Sequence, residues 1–262
     1  MKLSKWAALT LIASNVLFAS LTQAGEKLTI GASPVPHSEI LEFIKPIVAK
    51  QGVDLDIRVF SDYIQPNAQL VSKQLDANYF QYRPFLNDFN RERHTHLVPI
   101  VPVHIEPFVA YSQKITDVSQ LADGARVAIP NDPVNTGRAL VLLHEAGLIK
   151  LKDPSNTLAT PRDIVDNPKH LKIRELEGAL LARSVSQVDL AFVFANYALE
   201  AGIDTNSALI VEKGKDLYIE FLVARPDNRN DPRIQKLAKA LNSDAVRQFI
   251  LTRYKGQIAP GF

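Results

Sequence analysis

The residues best suited to binding chemistry lie in one stretch, residues 127–138, where a strand pattern meets a helix pattern. A β-branched run ends at Pro130, a polar turn follows, and Asn135 or Thr136 is predicted to cap the helix that begins there. Free backbone N–H groups and the positive end of a helix dipole attract anions, and Arg138, predicted in or near the first turn, adds a planar cation. The pattern therefore favours a carboxylate site. An arginine paired with a local acid is the alternative.

Two pairs of residues could bind a metal ion. His94 and His96 lie two positions apart, and so do His104 and Glu106, a spacing that puts both side chains on one face of a strand. The charged residues 91–93 precede the first pair, which is typical of a solvated helix end. A metal-binding receptor therefore stays an alternative, and no metal or other cofactor is predicted.

No common enzyme motif is present in the sequence. It holds no G-x-S-x-G elbow, no H-E-x-x-H pair, no P-loop and no dinucleotide-binding glycine pattern, and it has only 11 glycines. A Ser–His–Asp set would need residues that no motif indicates. The chain is therefore predicted not to be an enzyme, with a small α/β enzyme as the alternative.

The N-terminal residues have the pattern of an export signal. Lys2 and Lys5 precede an apolar run over 6–18, and Ala24 and Thr22 stand at positions −1 and −3 of a cleavage site after residue 24. This predicts a signal peptide over residues 1–24. A membrane anchor is the alternative, but the apolar run is shorter than the ~20 residues that a membrane-spanning helix needs.

Charge and cysteine content narrow the function further. The whole chain has 30 Lys and Arg against 28 Asp and Glu, and its excess of two lies in residues 1–24, so the predicted mature chain is neutral. A nucleic-acid partner, which would require a basic surface, is not expected. The chain has no cysteine, so neither disulfides nor a lipid attached to cysteine is expected. The predicted signal peptide indicates a periplasmic protein, and the absence of cysteine predicts that it is not lipid-anchored.

Strand and helix patterns alternate along the chain. The predicted strands are 28–32, 53–59, 76–80, 97–111, 127–129, 171–176, 189–194 and 218–224, and the predicted helices include 40–48, 67–73 and 84–93, with two more beginning near 231 and 243. His37, which follows Pro36, is predicted to shape a helix start. The alternation predicts an α/β protein of two lobes, with ligands bound between them. The first lobe is predicted over 25–112 and 218–262, and the second over 113–217.

Seven segments along the predicted mature chain together resemble the NlpA family, the methionine-binding receptors of ABC importers. The segments are GASPVPHSEIL (31–41), DYIQPN (62–67), DANYFQ (76–81), IPNDPVNTGR (129–138), GLIKLKD (147–153), NYALEAG (196–202) and YKG (254–256). The resemblance implies a type 2 periplasmic-binding fold, with two α/β lobes joined by two crossovers. It also implies an amino-acid ligand, a monomeric receptor, and an importer permease with its ATPase as partners.

The resemblance also implies roles for particular residues. Asn135 and Arg138 match the positions that hold the ligand's α-carboxylate, and Tyr63 and Phe80 match the aromatic walls around its thioether side chain. A guanidinium can hold a carboxylate with two hydrogen bonds, and aromatic rings suit a polarizable sulfur.

Three positions depart from the family pattern and are predicted to alter specificity. Tyr82 stands where family members usually have His, and Phe194 and Glu220 stand where they usually have Asn. Phe194 removes a hydrogen-bonding group and adds bulk, while Glu220 adds an anion that would favour a cationic ligand group. A lost hydrogen bond to a buried ligand group costs ~1–3 kcal/mol, so methionine is predicted to bind weakly. A different amino acid or a small cationic or zwitterionic ligand is the alternative.

Overall fold

The computed structural model of the 262-residue chain describes residues 25–212 and 216–262. The predicted signal peptide, residues 1–24, lies outside the described residues. Within the described ranges, no helix combines the length and the apolar character needed to cross a membrane.

Strands and helices alternate over the described chain. In chain order they are β1 Glu26–Ala32, α1 Glu39–Ala49, β2 Val53–Val59, α2 Gln65–Val71, β3 Ala77–Tyr82, α3 Arg83–Arg93, β4 Val98–Ile105, β5 Phe108–Tyr111, β6 Arg126–Pro130, α4 Pro133–Glu145, β7 Lys150–Leu151, β8 Ile164–Asp166, β9 Lys172–Leu176, α5 Gly178–Ser184, β10 Leu190–Phe194, α6 Ala195–Glu200, β11 Ile210–Val211, β12 Ile219–Ala224, α7 Pro232–Leu241, α8 Asp244–Tyr254 and β13 Ala259–Pro260. The predicted α/β character is confirmed.

The strands form two main sheets. The first has the order β13-β4-β12-β3-β1-β2, and the second has the order β11-β5-β10-β6-β9, while β7 and β8 pair by themselves. In the first sheet β1 runs parallel to β2 and β3, as the strand–helix–strand pattern predicts. In the second sheet β6 runs parallel to β9 and β10. Antiparallel strands complete both sheets.

Two connections carry the chain from one sheet to the other. The first lies between β4 and β5, because β5 pairs with β10 in the second sheet. The predicted lobe boundary at residue 112 puts β5 in the first lobe, whereas the structure pairs β5 in the second sheet, because strand periodicity does not reveal which sheet a strand joins. The second lies between β11 and β12, which returns to pair with β3 and β4. The lobe boundaries at 112 and 217 stay predictions, and the sheet membership of β5 favours moving the first to about residue 106.

Each sheet has its own apolar core. Strands β1 and β2 bury Leu28, Ile30 and Leu55 against α1, α7 and α8. Helix α4 buries Leu140 and Leu143 against the second sheet. Because each sheet is covered by its own helices, each can hold functional side chains on a rigid support.

The corner between β6 and α4 forms where the sequence predicts it, but its details differ. The helix begins at Pro133, and the cap is Asp132, whose side chain accepts a hydrogen bond from the Asn135 N–H. The predicted caps Asn135 and Thr136 therefore lie inside the first turn. Arg138 is the sixth residue of the helix, so it lies near the first turn, in the second.

Candidate functional site

One cavity is lined by side chains from elements of both sheets. The seven residues predicted to bind a ligand all line it: Tyr63, Phe80, Tyr82, Asn135, Arg138, Phe194 and Glu220. His37, Gln81, Phe85, Glu106 and Pro107 complete the lining. The cavity volume is only about 10 Å³. About 390 Å³ is free of atoms when the adjoining space that is open to solvent is counted as well. The side chains nearly fill the cavity, so a ligand of several heavy atoms requires them to move apart.

Aromatic rings form one side of the cavity. The Tyr63 ring lies 6.0 Å from Phe80 and 5.4 Å from Phe194, measured between ring centroids. Phe194 in turn stacks on Phe108 at 4.8 Å. The Tyr63 hydroxyl donates to Asn196 Oδ1 at 2.7 Å, and burial raises the pKa of Tyr63 well above its usual value of 10.0. This side can therefore hold an apolar or polarizable group.

Asn135 is held in place by its neighbours. Its amide Nδ2 donates to both carboxylate oxygens of Asp132 at 3.0 Å, and its Oδ1 accepts a hydrogen bond from the Tyr82 hydroxyl. Burial is the main cause that raises the pKa of Tyr82, so this hydroxyl stays a donor. Both ends of the Asn135 amide are therefore already hydrogen-bonded within the protein.

Arg138 has a buried anionic partner. Its Nε donates to Glu212 Oε1 at 2.9 Å, and its Nη2 donates to Glu212 Oε2. The guanidinium also lies 3.7 Å from the centroid of the Tyr218 ring. Burial opposes the charge of Arg138, but the hydrogen bonds to Glu212 raise its pKa above the usual value. The acid that compensates the charge of Arg138 is therefore Glu212, which is not a local residue because it lies 74 positions away in the sequence.

A cluster of buried titratable groups lies on another side of the cavity. His104 Nε2 lies 3.0 Å from Glu106 Oε1, and His104 Nδ1 lies 2.5 Å from the Tyr79 hydroxyl. His37 Nε2 lies 3.7 Å from Glu106 Oε1 and 3.8 Å from Glu220 Oε2. Glu106 Oε2 also accepts a hydrogen bond from a backbone N–H at 3.1 Å. Two carboxyl groups therefore lie near the same nitrogen of His37.

The groups in this cluster prefer to be uncharged. Burial lowers the pKa values of His37 and His104 to about 3, so both rings are neutral at neutral pH. Burial raises the pKa of Glu106, and burial together with the nearby Glu106 raises that of Glu220 well above 4.5. Neutral histidines cannot compensate a carboxylate charge. The close His–Glu contacts are therefore not ion pairs.

Some polar atoms of the cavity region have no hydrogen-bond partner among the described residues. They include both ring nitrogens of His37, Glu220 Oε2 and Asn196 Nδ2. Buried polar atoms are usually satisfied, and unsatisfied ones point to a function. The polar atoms of the cavity region that lack hydrogen-bond partners therefore include atoms of Glu220 and His37, and none of the predicted carboxylate-binding residues Asn135 and Arg138.

The same cluster is the one place in the described ranges where three metal-ligating side chains meet. Ligand atoms of His37, His104 and Glu106 lie within 4.8 Å of one another. Both nitrogens of His104 already have partners within the protein, which favours a hydrogen-bonded cluster over a metal centre. His94 lies elsewhere, at the exposed end of α3, so the predicted helix end is confirmed.

The sequence reasoning underestimated His37 and missed Glu212. His37 does lie in the turn before α1, but it also lines the cavity. Its place after the carboxyl end of β1 is a signal that could have found it, because ligands of α/β proteins bind there. No local pattern marks Glu212 as the partner of Arg138.

Comparisons with known proteins give a consistent result. The family model described as NlpA lipoprotein matches residues 28–262. A protein of Pasteurella multocida (strain Pm70) named "Probable D-methionine-binding lipoprotein MetQ" is 39% identical over 242 residues, covering 91% of this chain and 87% of its own. The structure of a nutrient binding protein from Burkholderia cenocepacia bound to methionine is 38% identical, with a TM-score of 0.86, and covers 90% of this chain and 100% of its own. The substrate binding protein of a methionine transporter from Streptococcus pneumoniae is 34% identical, with a TM-score of 0.85, and covers 89% of this chain and 95% of its own.

These comparisons confirm the two-lobe fold class and overturn one prediction. The chain was predicted not to be lipid-anchored, because it contains no cysteine. The matching family and the Pasteurella relative are both named as lipoproteins, so the prediction of an unanchored protein is wrong. The absence of cysteine was weaker evidence than the similarity to named lipoproteins, which extends over nearly the whole chain.

The resemblance seen in seven separate segments thus extends over nearly all the described residues, in both sequence and fold. The chain belongs to the NlpA lipoprotein family.

Proposed function

We propose that this protein is the substrate-binding component of an ABC importer and that it carries an amino acid, methionine or a methionine-like compound, in the cavity described above. The observation that supports this most is that one cavity is lined by an aromatic side, a buried arginine and a buried carboxyl group from elements of both sheets. Similarity to proteins named as methionine-binding adds support. The partners are an importer permease and its ATPase, reached on the periplasmic side of the membrane, and the receptor acts as a monomer.

In this proposal the apolar part of the ligand lies against Tyr63 and Phe80. A ligand carboxylate would approach Arg138 on the side that Glu212 leaves open, and Asn135 would exchange its bonds to Asp132 for a bond to the ligand. Because the side chains nearly fill the cavity, binding requires the two sheets to separate and close again around the ligand. Such a ligand-dependent closure is what a permease can recognise.

The protein is proposed to bind its ligand without changing it. The relatives named above are substrate-binding proteins, and the cavity lining includes neither a serine nor a cysteine nucleophile. A metal-binding receptor is the second candidate, supported by the proximity of His37, His104 and Glu106.

Thermal unfolding tests the proposal. The protein is unfolded and refolded to remove carried ligand, and its unfolding midpoint is measured with L- and D-methionine, other amino acids and divalent metal ions. A ligand at about 100 times its Kd stabilises the folded state by about 2.7 kcal/mol. A rise with an amino acid supports the proposal, whereas a rise with metal ions alone contradicts it.

A matched pair of variants places the site. Phe80→Ala removes an aromatic ring from the cavity and should weaken the ligand-induced rise. Leu251→Ala removes a side chain that is 48% exposed on α8 and should leave the rise unchanged. Equal rises in both variants would place the ligand elsewhere.

A further inference from the structure

Glu220 is a buried carboxyl group with an unused oxygen in the wall of the cavity. It lies on β12, between Tyr82 of β3 and His104 of β4 in the sheet register, and only 4% of it is exposed. Its Oε2 has no hydrogen-bond partner among the described residues. His37 Nε2 lies 3.8 Å from this oxygen, which is beyond hydrogen-bond distance.

The surroundings of Glu220 lack an available positive charge. Glu106 adds a second buried carboxyl group near the same nitrogen of His37, and that ring is neutral. Arg138 is the cation among the cavity-lining side chains and acts to lower the pKa of Glu220, against the larger effects of burial and Glu106. Glu212 already pairs with Arg138 through two hydrogen bonds. A buried carboxylate without a counter-charge is unfavourable, so a ligand that brings a cation to this part of the cavity would stabilise the ionised form of Glu220.

The aromatic side of the cavity is compatible with the same kind of ligand. Tyr63, Phe80 and Phe194 line the same cavity as Glu220. Ring faces attract ammonium and guanidinium groups as well as apolar groups. By contrast, Asn135 uses both ends of its amide within the protein, so the capacity to hold a carboxylate is reduced.

We propose that the cavity selects ligands with an ammonium or guanidinium group and no net negative charge, and that Glu220 is the specificity-determining residue that receives this group. The inference rests on the proposed function and narrows its ligand class. A free carboxylate on the ligand is not required, so a cationic derivative of an amino acid binds more tightly than the zwitterion. An amino acid whose amine is blocked binds more weakly than either.

Three compounds with the same thioether side chain separate these contributions. L-methioninamide carries an ammonium and no carboxylate, L-methionine carries both, and N-acetyl-L-methionine carries only the carboxylate. We expect calorimetric titration of the refolded protein to give the tightest Kd for the amide and the weakest for the acetyl compound. The two should differ by about 10- to 100-fold, the size of a hydrogen bond to a charged group.

The variant Glu220→Gln keeps the shape of the side chain and removes its charge. We expect it to weaken binding of L-methioninamide by about 10- to 100-fold and to leave N-acetyl-L-methionine nearly unchanged. The control Glu92→Gln changes an exposed acid on α3 and should leave all three Kd values unchanged. Circular dichroism of each variant verifies that it is folded.

Each alternative result has a distinct meaning. If L-methionine binds as tightly to Glu220→Gln as to the unchanged protein and the amide never binds more tightly than methionine, the inference fails and the proposed function stands. If ZnCl₂ or MnCl₂ binds and displaces the amide, the cation is a metal ion and the inference is overturned. If none of the amino-acid compounds binds, the proposed function fails together with the inference.

Discussion

The substitution Glu220→Gln should stabilise the ligand-free protein at pH 8. Burial and then the neighbouring Glu106 raise the pKa of Glu220 well above the 4.5 of the unfolded chain. The pKa of Glu220 is therefore higher in the folded protein than in the unfolded chain. The folding stability that protonated Glu220 contributes is fully present below about pH 4.5, and it is lost as the pH rises through the folded-state pKa. Glutamine is neutral at every pH, so the variant does not suffer this loss.

The size of the effect follows from the unpaired oxygen. Leaving a buried polar group unsatisfied costs about 1–3 kcal/mol, and a charge on it adds a cost of about the same order, which is the part that glutamine removes. For a protein of this size, each kcal/mol moves the unfolding midpoint by about 2–4 °C. We therefore expect the midpoint of Glu220→Gln to lie about 2–12 °C above that of the unchanged protein at pH 8, with a difference that shrinks as the pH falls toward 4.5.

The assay is thermal unfolding of the refolded, ligand-free protein between about pH 4.5 and 8. The control Glu92→Gln alters a side chain that is 61% exposed, and it should change stability by less than about 0.5 kcal/mol at both ends of this range. An unchanged or lower midpoint for Glu220→Gln at pH 8 would refute the reasoning. So would a gain of the same size at every pH, because it would not come from ionisation.

Three further predictions concern the site and its support. Gly137→Ala would place a Cβ 2.2 Å from the Thr157 carbonyl oxygen, so we expect urea unfolding to show a free energy of unfolding lower by about 1–3 kcal/mol. An unchanged urea midpoint would contradict the close packing at this position. Glu212→Gln leaves the buried Arg138 without its counter-charge and should lower the free energy of unfolding by about 3–5 kcal/mol. A loss under about 1 kcal/mol would mean that the pair is not buried in solution. The variant Phe194→Asn restores the usual family residue while keeping the Glu220 carboxyl group, and it should tighten L-methionine binding about tenfold by calorimetry; no gain would show that this position does not set specificity.

The elements of the fold could be predicted because their patterns are local. The alternation of apolar and polar residues over 53–59 predicts the strand that the structure has at Val53–Val59. The sheet that Phe108–Tyr111 joins could not be predicted, because sheet membership depends on distant partners. The pattern around Pro130 predicted the corner but not that Asp132 is its cap, because several residues of the turn are of types that can cap a helix.

The members of the site could also be predicted, but their partners could not. The resemblance pointed to seven residues, and all of them line one cavity. The pairing of Arg138 with Glu212 spans 74 positions and has no sequence signal. The unpaired oxygen of Glu220 is likewise visible only when the positions of His37 and Glu106 are known. Sequence patterns therefore identify candidate residues, whereas the charge balance of a site requires the three-dimensional arrangement.

The most direct test of the account is a crystal structure of the refolded protein with L-methioninamide or L-methionine. The account predicts electron density for one ligand in the cavity, with its side chain against Tyr63 and Phe80 and its ammonium hydrogen-bonded to Glu220. Density at another place on the surface, or a metal ion coordinated by His37, His104 and Glu106 in an otherwise ligand-free cavity, would contradict it.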